Sequence, residues 1–438
     1  MITLLGENAS FCDGIPRRSC LKAGVLGTAG LTLADILRLR ASANEAGRAG
    51  HRAAVIFVEM AGGPSQFETY DPKPDAPVEY RGTFGVAQTN CPGVVFSEWM
   101  PEQAKIADKL AVIRSVHHDS NSHDPSSHLT QTGYYKTGFK GSANEMPCFG
   151  SVAAKLRGPN VAAMPAYVAV PGVMRNGGAA FLGPACQPFE AGSDPNLPEF
   201  HVPNLSKTLS IARLEDRSSL LTALDAHRRV ADLDRASQAI DQFSHQAFEL
   251  VHGPAAREAF DIGQEPESLR RQYGRNTVGQ SLLLARRLVE AGVTCVTVRS
   301  TGWDDHDGIA DRLKDHAPPF DKGMAALVTD LYDRGIQDDV LVVGMGEFGR
   351  TPRINGNAGR DHWGALMSVV LTGGGLKTGI IGASNSKGEV PVTARYRPEN
   401  ILAMIYRHLG IDPAITIEDF AGRPRFLLEE RQIVRELV

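Results

Sequence analysis

The residues with most chemistry to offer crowd into one stretch, residues 339–366. An apolar run at 340–343 gives way to Gly344 and Gly346, and Glu347 stands where strand becomes loop. Arg350, Arg353 and Arg360 follow, then Asp361 beside His362, before a second apolar run at 367–371. Carboxylates and imidazoles are ligands for a divalent ion, and arginines neutralise an anion. Arg350 is the candidate for holding that anion. Singly, an arginine on a loop pairs as readily with a neighbouring carboxylate.

A second candidate follows the apolar run at 293–298, where Trp303 precedes Asp304, Asp305 and His306. In extended backbone Asp304 and His306, two apart, project to one side and form a pair of ligands. Taken alone, such a pair is more often a turn held by Asx hydrogen bonds. What strengthens the ligand reading is recurrence, because acids and imidazoles also follow the runs that end near residues 58 and 116. His117, His118, His123 and His128 fall within twelve residues. Ser122, Ser126, Ser127 and Thr130 share that stretch. Spacing does not choose a nucleophile among them, and Ser127 is a nominal choice. The first candidates as ligands are Asp304, His306, Glu347, Asp361 and His362. Oxygen and nitrogen donors without thiolates suit zinc, manganese, magnesium, calcium or iron.

Strand-like runs must position these groups. They lie at 53–58, 110–116, 166–170, 293–298, 340–343 and 367–371, with amphipathic helical patterns at 282–290 and 325–332 between them. Alternating strands and helices predict an α/β fold with a mostly parallel, doubly wound sheet, whose strand ends pool their loops at one edge. Residues 171–203, rich in Gly, Pro and Asn, read as a long loop over the site, and the charged helical stretch 205–273 as an insertion or cap.

Of the 438 residues, 42% are hydrophobic and 22% charged, which excludes wholesale disorder and suffices for one large or two medium domains. Residues 1–43 differ. Arg17 and Arg18 precede a short apolar segment and the sequence Ala41-Ser42-Ala43, the pattern of a cleaved twin-arginine export signal, with a plain amphipathic helix as the alternative. The apolar segment is too short to span a bilayer, so the mature chain is expected in the periplasm or cell envelope without stable membrane insertion. The signal carries five basic and three acidic groups, and its loss takes the formal charge from −4 to −6. Nucleic acid is therefore an unfavourable partner. Cys91, Cys148, Cys186 and Cys295 lack C-x-x-C spacing; Cys295 belongs to a strand, and two of the other three could pair.

The strings GGPSQFETYDPKPDAP at 62–77, NSHDPSSHLTQTG at 121–133, GWDDH at 302–306 and GEFGRTPRINGNAGRDHWG at 346–364, with residues 273–298, resemble a twin-arginine-exported bacterial family known as domain of unknown function 1501. That family is placed in the alkaline phosphatase and sulfatase superfamily. The resemblance implies an alkaline-phosphatase-like domain over residues 53–438 with metal ligands after successive strands. Asp304 and His306 look like its middle ligand pair, Glu347 begins its acid-histidine pair, and His362 resembles its late histidine. Phe348 stands where the superfamily has histidine, and Glu59 where it has aspartate. The implied function is metal-dependent hydrolysis of phosphate or sulfate esters, on an anionic small molecule or glycan. The alternative is a non-catalytic envelope protein that binds anionic glycans on the same fold.

Overall fold

A computed structural model describes residues 52–138, 143–202 and 254–438. The expected export signal and most of the helical cap lie outside these residues. The end of that cap region is helical, as α3 (Pro254–Phe260) and α4 (Glu267–Tyr273).

Eight strands form the main sheet: β1 (Ala54–Ala61), β2 (Ala111–Val116), β3 (Tyr167–Val170), β4 (Phe189–Glu190), β5 (Cys295–Thr301), β6 (Val340–Met345), β7 (Met367–Gly373) and β8 (Gly379–Ile381), in the order β8-β2-β7-β6-β1-β5-β3-β4. β1 lies at the centre, parallel to β5 and β6, with Val55 opposite Cys295 and Val58 opposite Gly344. β3 runs parallel to β5 and β4, and β8 parallel to β2. Only β7 is reversed, antiparallel to both β2 and β6. The sheet is thus mostly parallel, as the strand-helix alternation predicts.

Successive side chains of a strand point to opposite faces, and a strand covered on both faces is apolar throughout. In β1, Ala54, Ile56, Val58 and Met60 pack with Leu282 and Leu288 of α5 (Thr277–Ala291) and Phe320 and Leu327 of α6 (Ile309–Asp333). Val55 and Phe57 face the other layer, with Phe149 and Val152 of α2 (Phe149–Leu156) and Ile401 and Ile405 of α7 (Pro398–His408). Each such fully buried aliphatic or aromatic side chain contributes about 1.5–3 kcal/mol relative to exposure. The helix α5 begins where the Asn276 side chain accepts a hydrogen bond from Gly279 N, and ends at Gly292 in the left-handed region.

Parallel strands place their C-terminal ends at one edge of the sheet. β1, β2, β5 and β6 therefore release residues 62, 117, 302 and 346 onward at that edge. The reversal of β7 puts its beginning there too, so the residues just before Met367 join the same cluster. The α1 helix (His123–Thr132) starts in the loop after β2. Cys91, Cys148, Cys186 and Cys295 are all free, so none of the three outside β5 pairs with another. Among the described residues, no helix is long and apolar enough to cross a membrane.

Candidate metal centre

Three imidazoles converge on one carboxylate. His123 Nε2 lies 3.3 Å from Asp304 Oδ2, and His306 Nε2 and His362 Nε2 each lie 3.1 Å from Asp304 Oδ1. The Nε2 atoms of His306 and His362 are 2.9 Å apart. His123, Asp304 and His362 each offer a donor atom within 4.8 Å of the others. Donors around a tetrahedral ion at ~2.0–2.1 Å are about 3.3 Å from one another. The contacts of His123 and His362 with Asp304, at 3.3 and 3.1 Å, match that spacing, and His306 stands beside this group of three.

The other nitrogen of each ring is held separately. Nδ1 of His123 lies 2.7 Å from Glu347 Oε1, Nδ1 of His306 lies 2.9 Å from Asp361 Oδ1, and Nδ1 of His362 lies 2.8 Å from the Asn121 carbonyl. An acceptor at Nδ1 fixes the tautomer that leaves the Nε2 lone pair free for a metal. Glu347 is itself oriented by Gly62 N, 3.1 Å from both carboxylate oxygens. Phe348, fully buried, stands with its ring centroid 4.3 Å from that of His362 and 5.1 Å from that of His123. The Phe348 ring thus forms an apolar wall against two imidazoles.

The loops that carry these groups are held by buried arginines. Arg350 is fully buried; Nε donates to Gly63 O at 2.8 Å, Nη1 to Arg360 O at 3.0 Å, and Nη2 to Trp303 O, to Gly62 O and to Asp304 Oδ1. Its backbone pairs with that of His362 in a two-residue antiparallel ladder. Arg360, also fully buried, makes a forked bond to Glu68 at 2.8–3.1 Å. At Gly62, with φ +117°, an added Cβ would come within 2.5 Å of Asp304 N, so the first loop and the Asp304 loop meet backbone to backbone.

These neighbours set the charges. Burial raises the Asp304 pKa, but hydrogen bonds from His123, His362 and Arg350 outweigh it and hold the carboxyl well below its usual range. Hydrogen bonds to Asp304 and then to Glu347 push His123 up to about 9. His118, buried, falls to about 4. Its Nε2 meets the Glu347 carbonyl at 2.7 Å, a packing role outside the imidazole cluster. Burial, with the charge of Glu347 behind it, raises Glu59 to about 7, although Arg299 lies 3.0 Å away. Glu59 also accepts a bond from Gln131 at 3.2 Å.

Of the groups picked out in the sequence, Asp304, His306 and His362 meet through their donor atoms. Glu347 and Asp361 reach the cluster by orienting His123 and His306. Two others stand apart from the imidazole cluster. Arg350 does not present its guanidinium to a ligand, because protein acceptors surround all of it and Asp304 is one of them. Ser127 is buried, with Oγ donating to His123 O at 2.7 Å and accepting from Asn176 at 3.0 Å, so it is tied to its own helix and loop. Ser126 and Thr130 are buried as well, whereas Ser122 is exposed. Arg353 is exposed. Asp304 and His306 sit on irregular backbone, joined by a bond from His306 N to Asp304 O at 3.1 Å, so the turn and the ligand pair coexist.

His123 was hidden among four histidines of one stretch. Its signal was its place right after the Ser122 N-cap, at the first turn of a helix leaving the sheet edge. Arg175 was also missed. It lies exposed on the glycine-rich loop that follows β3 and, with Ser122, His123, Lys136 and His362, lines a pocket of about 430 Å³.

A family described as Protein of unknown function (DUF1501) matches residues 52–438. Among solved structures, similarity extends to Ps i-CgsB (10% identity, 82% of this chain and 72% of that one, TM-score 0.41). It also extends to the PsFucS1 sulfatase from Pseudoalteromonas sp. (14%, 84% and 70%, 0.40) and to alkaline phosphatase from the Antarctic bacterium TAB5 (13%, 82% and 98%, 0.36). No curated protein matches by sequence.

Proposed function

The chain belongs to the DUF1501 family, and from its clustered imidazoles we propose that it is an exported, metal-dependent hydrolase of phosphate or sulfate esters. The observation that carries this reading is the convergence of three Nε2 atoms on Asp304, each ring fixed from behind by its own acceptor. His123, Asp304 and His362 would hold a divalent ion, with His306 beside them. Such an ion supplies Lewis acidity, which polarises an ester oxygen and offsets the charge that develops on it.

The chain's own residues do the remaining work. Arg175 is the exposed cation of the pocket and the group to receive the anionic ester. Ser122 supplies an exposed hydroxyl at the start of α1, beside His123. Phe348 keeps water from the flank of two imidazoles, which strengthens charge interactions inside the cluster. Arg350 holds Asp304 in place.

Elemental analysis of the untagged chain from Asn44 onward tests this. Near-stoichiometric divalent metal in the parent, absent from the His123→Ala, His362→Ala double variant, together with release of phosphate or sulfate from 4-nitrophenyl esters, is the expected outcome. An Arg175→Gln variant should keep its metal and raise KM. A parent that takes up no ion after loading with zinc, manganese, magnesium, calcium or iron would sink the proposal.

A further inference from the structure

Arg175, the cation assigned above to the anionic ester, stands on a glycine-rich loop whose backbone is nevertheless held on both sides. Met174 is buried in the layer with Phe149 and Val152. Gly177 N donates to Met174 O at 2.9 Å and closes a four-residue turn over residues 174–177, with Arg175 and Asn176 as its central pair. Gly177 O in turn accepts from the buried Tyr167 hydroxyl of β3 at 3.3 Å. Asn176 has φ +61°, a left-handed conformation that asparagine tolerates better than most side chains.

The Asn176 amide is used at both of its polar atoms. Nδ2 lies 3.0 Å from Asp124 O, 3.1 Å from Asp124 Oδ1 and 3.0 Å from Ser127 Oγ, and shares its two protons among these acceptors. Oδ1 accepts from Lys136 Nζ at 3.4 Å. The Asn176 carbonyl accepts from Asn144 Nδ2 at 2.6 Å. Ser127 Oγ donates onward to His123 O at 2.7 Å. Two hydrogen bonds in series, Asn176 to Ser127 and Ser127 to His123, therefore link the Arg175 turn to the metal-ligand residue on α1.

The Arg175 side chain is exposed, so the place its guanidinium can reach is set by where its backbone is held. A displacement of about 1 Å in a group that binds substrate is enough to weaken it severely. Glycine at position 176 would accept the left-handed φ without steric cost but has no amide to make these bonds. Aspartate there would set a second carboxylate against Asp124. We propose that Asn176 is a positioning residue: it pins the Arg175 turn to the first turn of α1, so that the anion-holding arginine and His123 keep one spacing. The effect on ester turnover rests on the hydrolase reading; the pinning of the turn does not.

The test follows trypsin cleavage after Arg175, by intact-mass spectrometry, in the folded chain from Asn44. Turnover of 4-nitrophenyl phosphate and sulfate and metal content are measured alongside, and synthetic peptides spanning residues 170–181 correct for the changed residue beside the cleaved bond. The parent should resist cleavage there. Asn176→Ala and Asn176→Gly should be cut about tenfold faster, since cleavage tracks the population of the opened turn. Both should keep the parent's metal and kcat and raise KM about tenfold, the signature of a lost binding contact. Asn176→Gly separates the two roles of the residue, because it retains the left-handed backbone and removes only the amide. A glycine variant as resistant as the parent, or a parent cut as fast as its variants, overturns the proposal. Faster cleavage with unchanged KM in an active enzyme overturns it too. Faster cleavage in a protein that hydrolyses no ester supports the pinning and discards the hydrolase reading. Loss of the folded far-UV circular dichroism in both variants would also overturn it, by making Asn176 a residue of general stability.

Discussion

Asp304 holds its charge because His123, His362 and Arg350 all donate to it, and the same arrangement favours the charged form of His123. With its pKa raised to about 9, His123 is an imidazolium at neutral pH in the metal-free protein. A metal must displace that proton. Affinity for zinc should therefore rise about tenfold per pH unit from pH 7 to 8, and competition titration of His123→Gln should show a flatter slope. The stability effect has the opposite sign. In the metal-free chain the contribution of His123 is complete below about pH 6.5 and is lost as pH rises through about 9. Arg350 is a structural neighbour of a different kind. Replacing it by Met leaves Asp304 without its buried partner and the Gly62 and Gly63 carbonyls without a donor, at a cost on the order of 3–5 kcal/mol in urea unfolding. A loss under about 1 kcal/mol would mean that water replaces those bonds.

At the level of elements, one reversed strand completes the site. Had β7 been parallel, His362 would precede it at the opposite edge; because β7 is antiparallel to β2 and β6, the ligand comes to the loops after β1, β2, β5 and β6. The apolar runs located these strands, but the strands extend further than the runs. Glu59 and Arg299 are still in register across β1 and β5, although neither is apolar. Backbone ladders continue where side-chain hydrophobicity has ended, since the ladder uses groups that every residue carries. The close approach of loops makes Gly62 the sensitive point of the first one. Gly62→Ala introduces a left-handed, overlapping Cβ against Asp304 N, and should lower stability by about 2 kcal/mol or more and reduce bound metal. Circular dichroism with elemental analysis reads both.

For the molecule as a whole, the export proposal and the metal proposal are linked, since the twin-arginine route carries folded proteins and a metal would be loaded before transport. Replacing Arg17 and Arg18 by Lys in the full chain should leave the precursor in the cytoplasm, read by cell fractionation. The sequence by itself determined the elements: alternating apolar runs and helical patterns specify a doubly wound sheet, and acids and imidazoles after successive runs specify its functional edge. It also placed Asp304, His306 and His362 on loops after strands, since such positions are readable along the chain. Only the tertiary structure decided which groups meet. His123 joins Asp304 across a separation of 181 positions, Arg350 turns inward to that same carboxylate, Ser127 is used up on its helix, and Arg175 remains open. The reason is physical: burial and hydrogen-bond partners come from segments far apart in the chain, and neither residue type nor spacing records them.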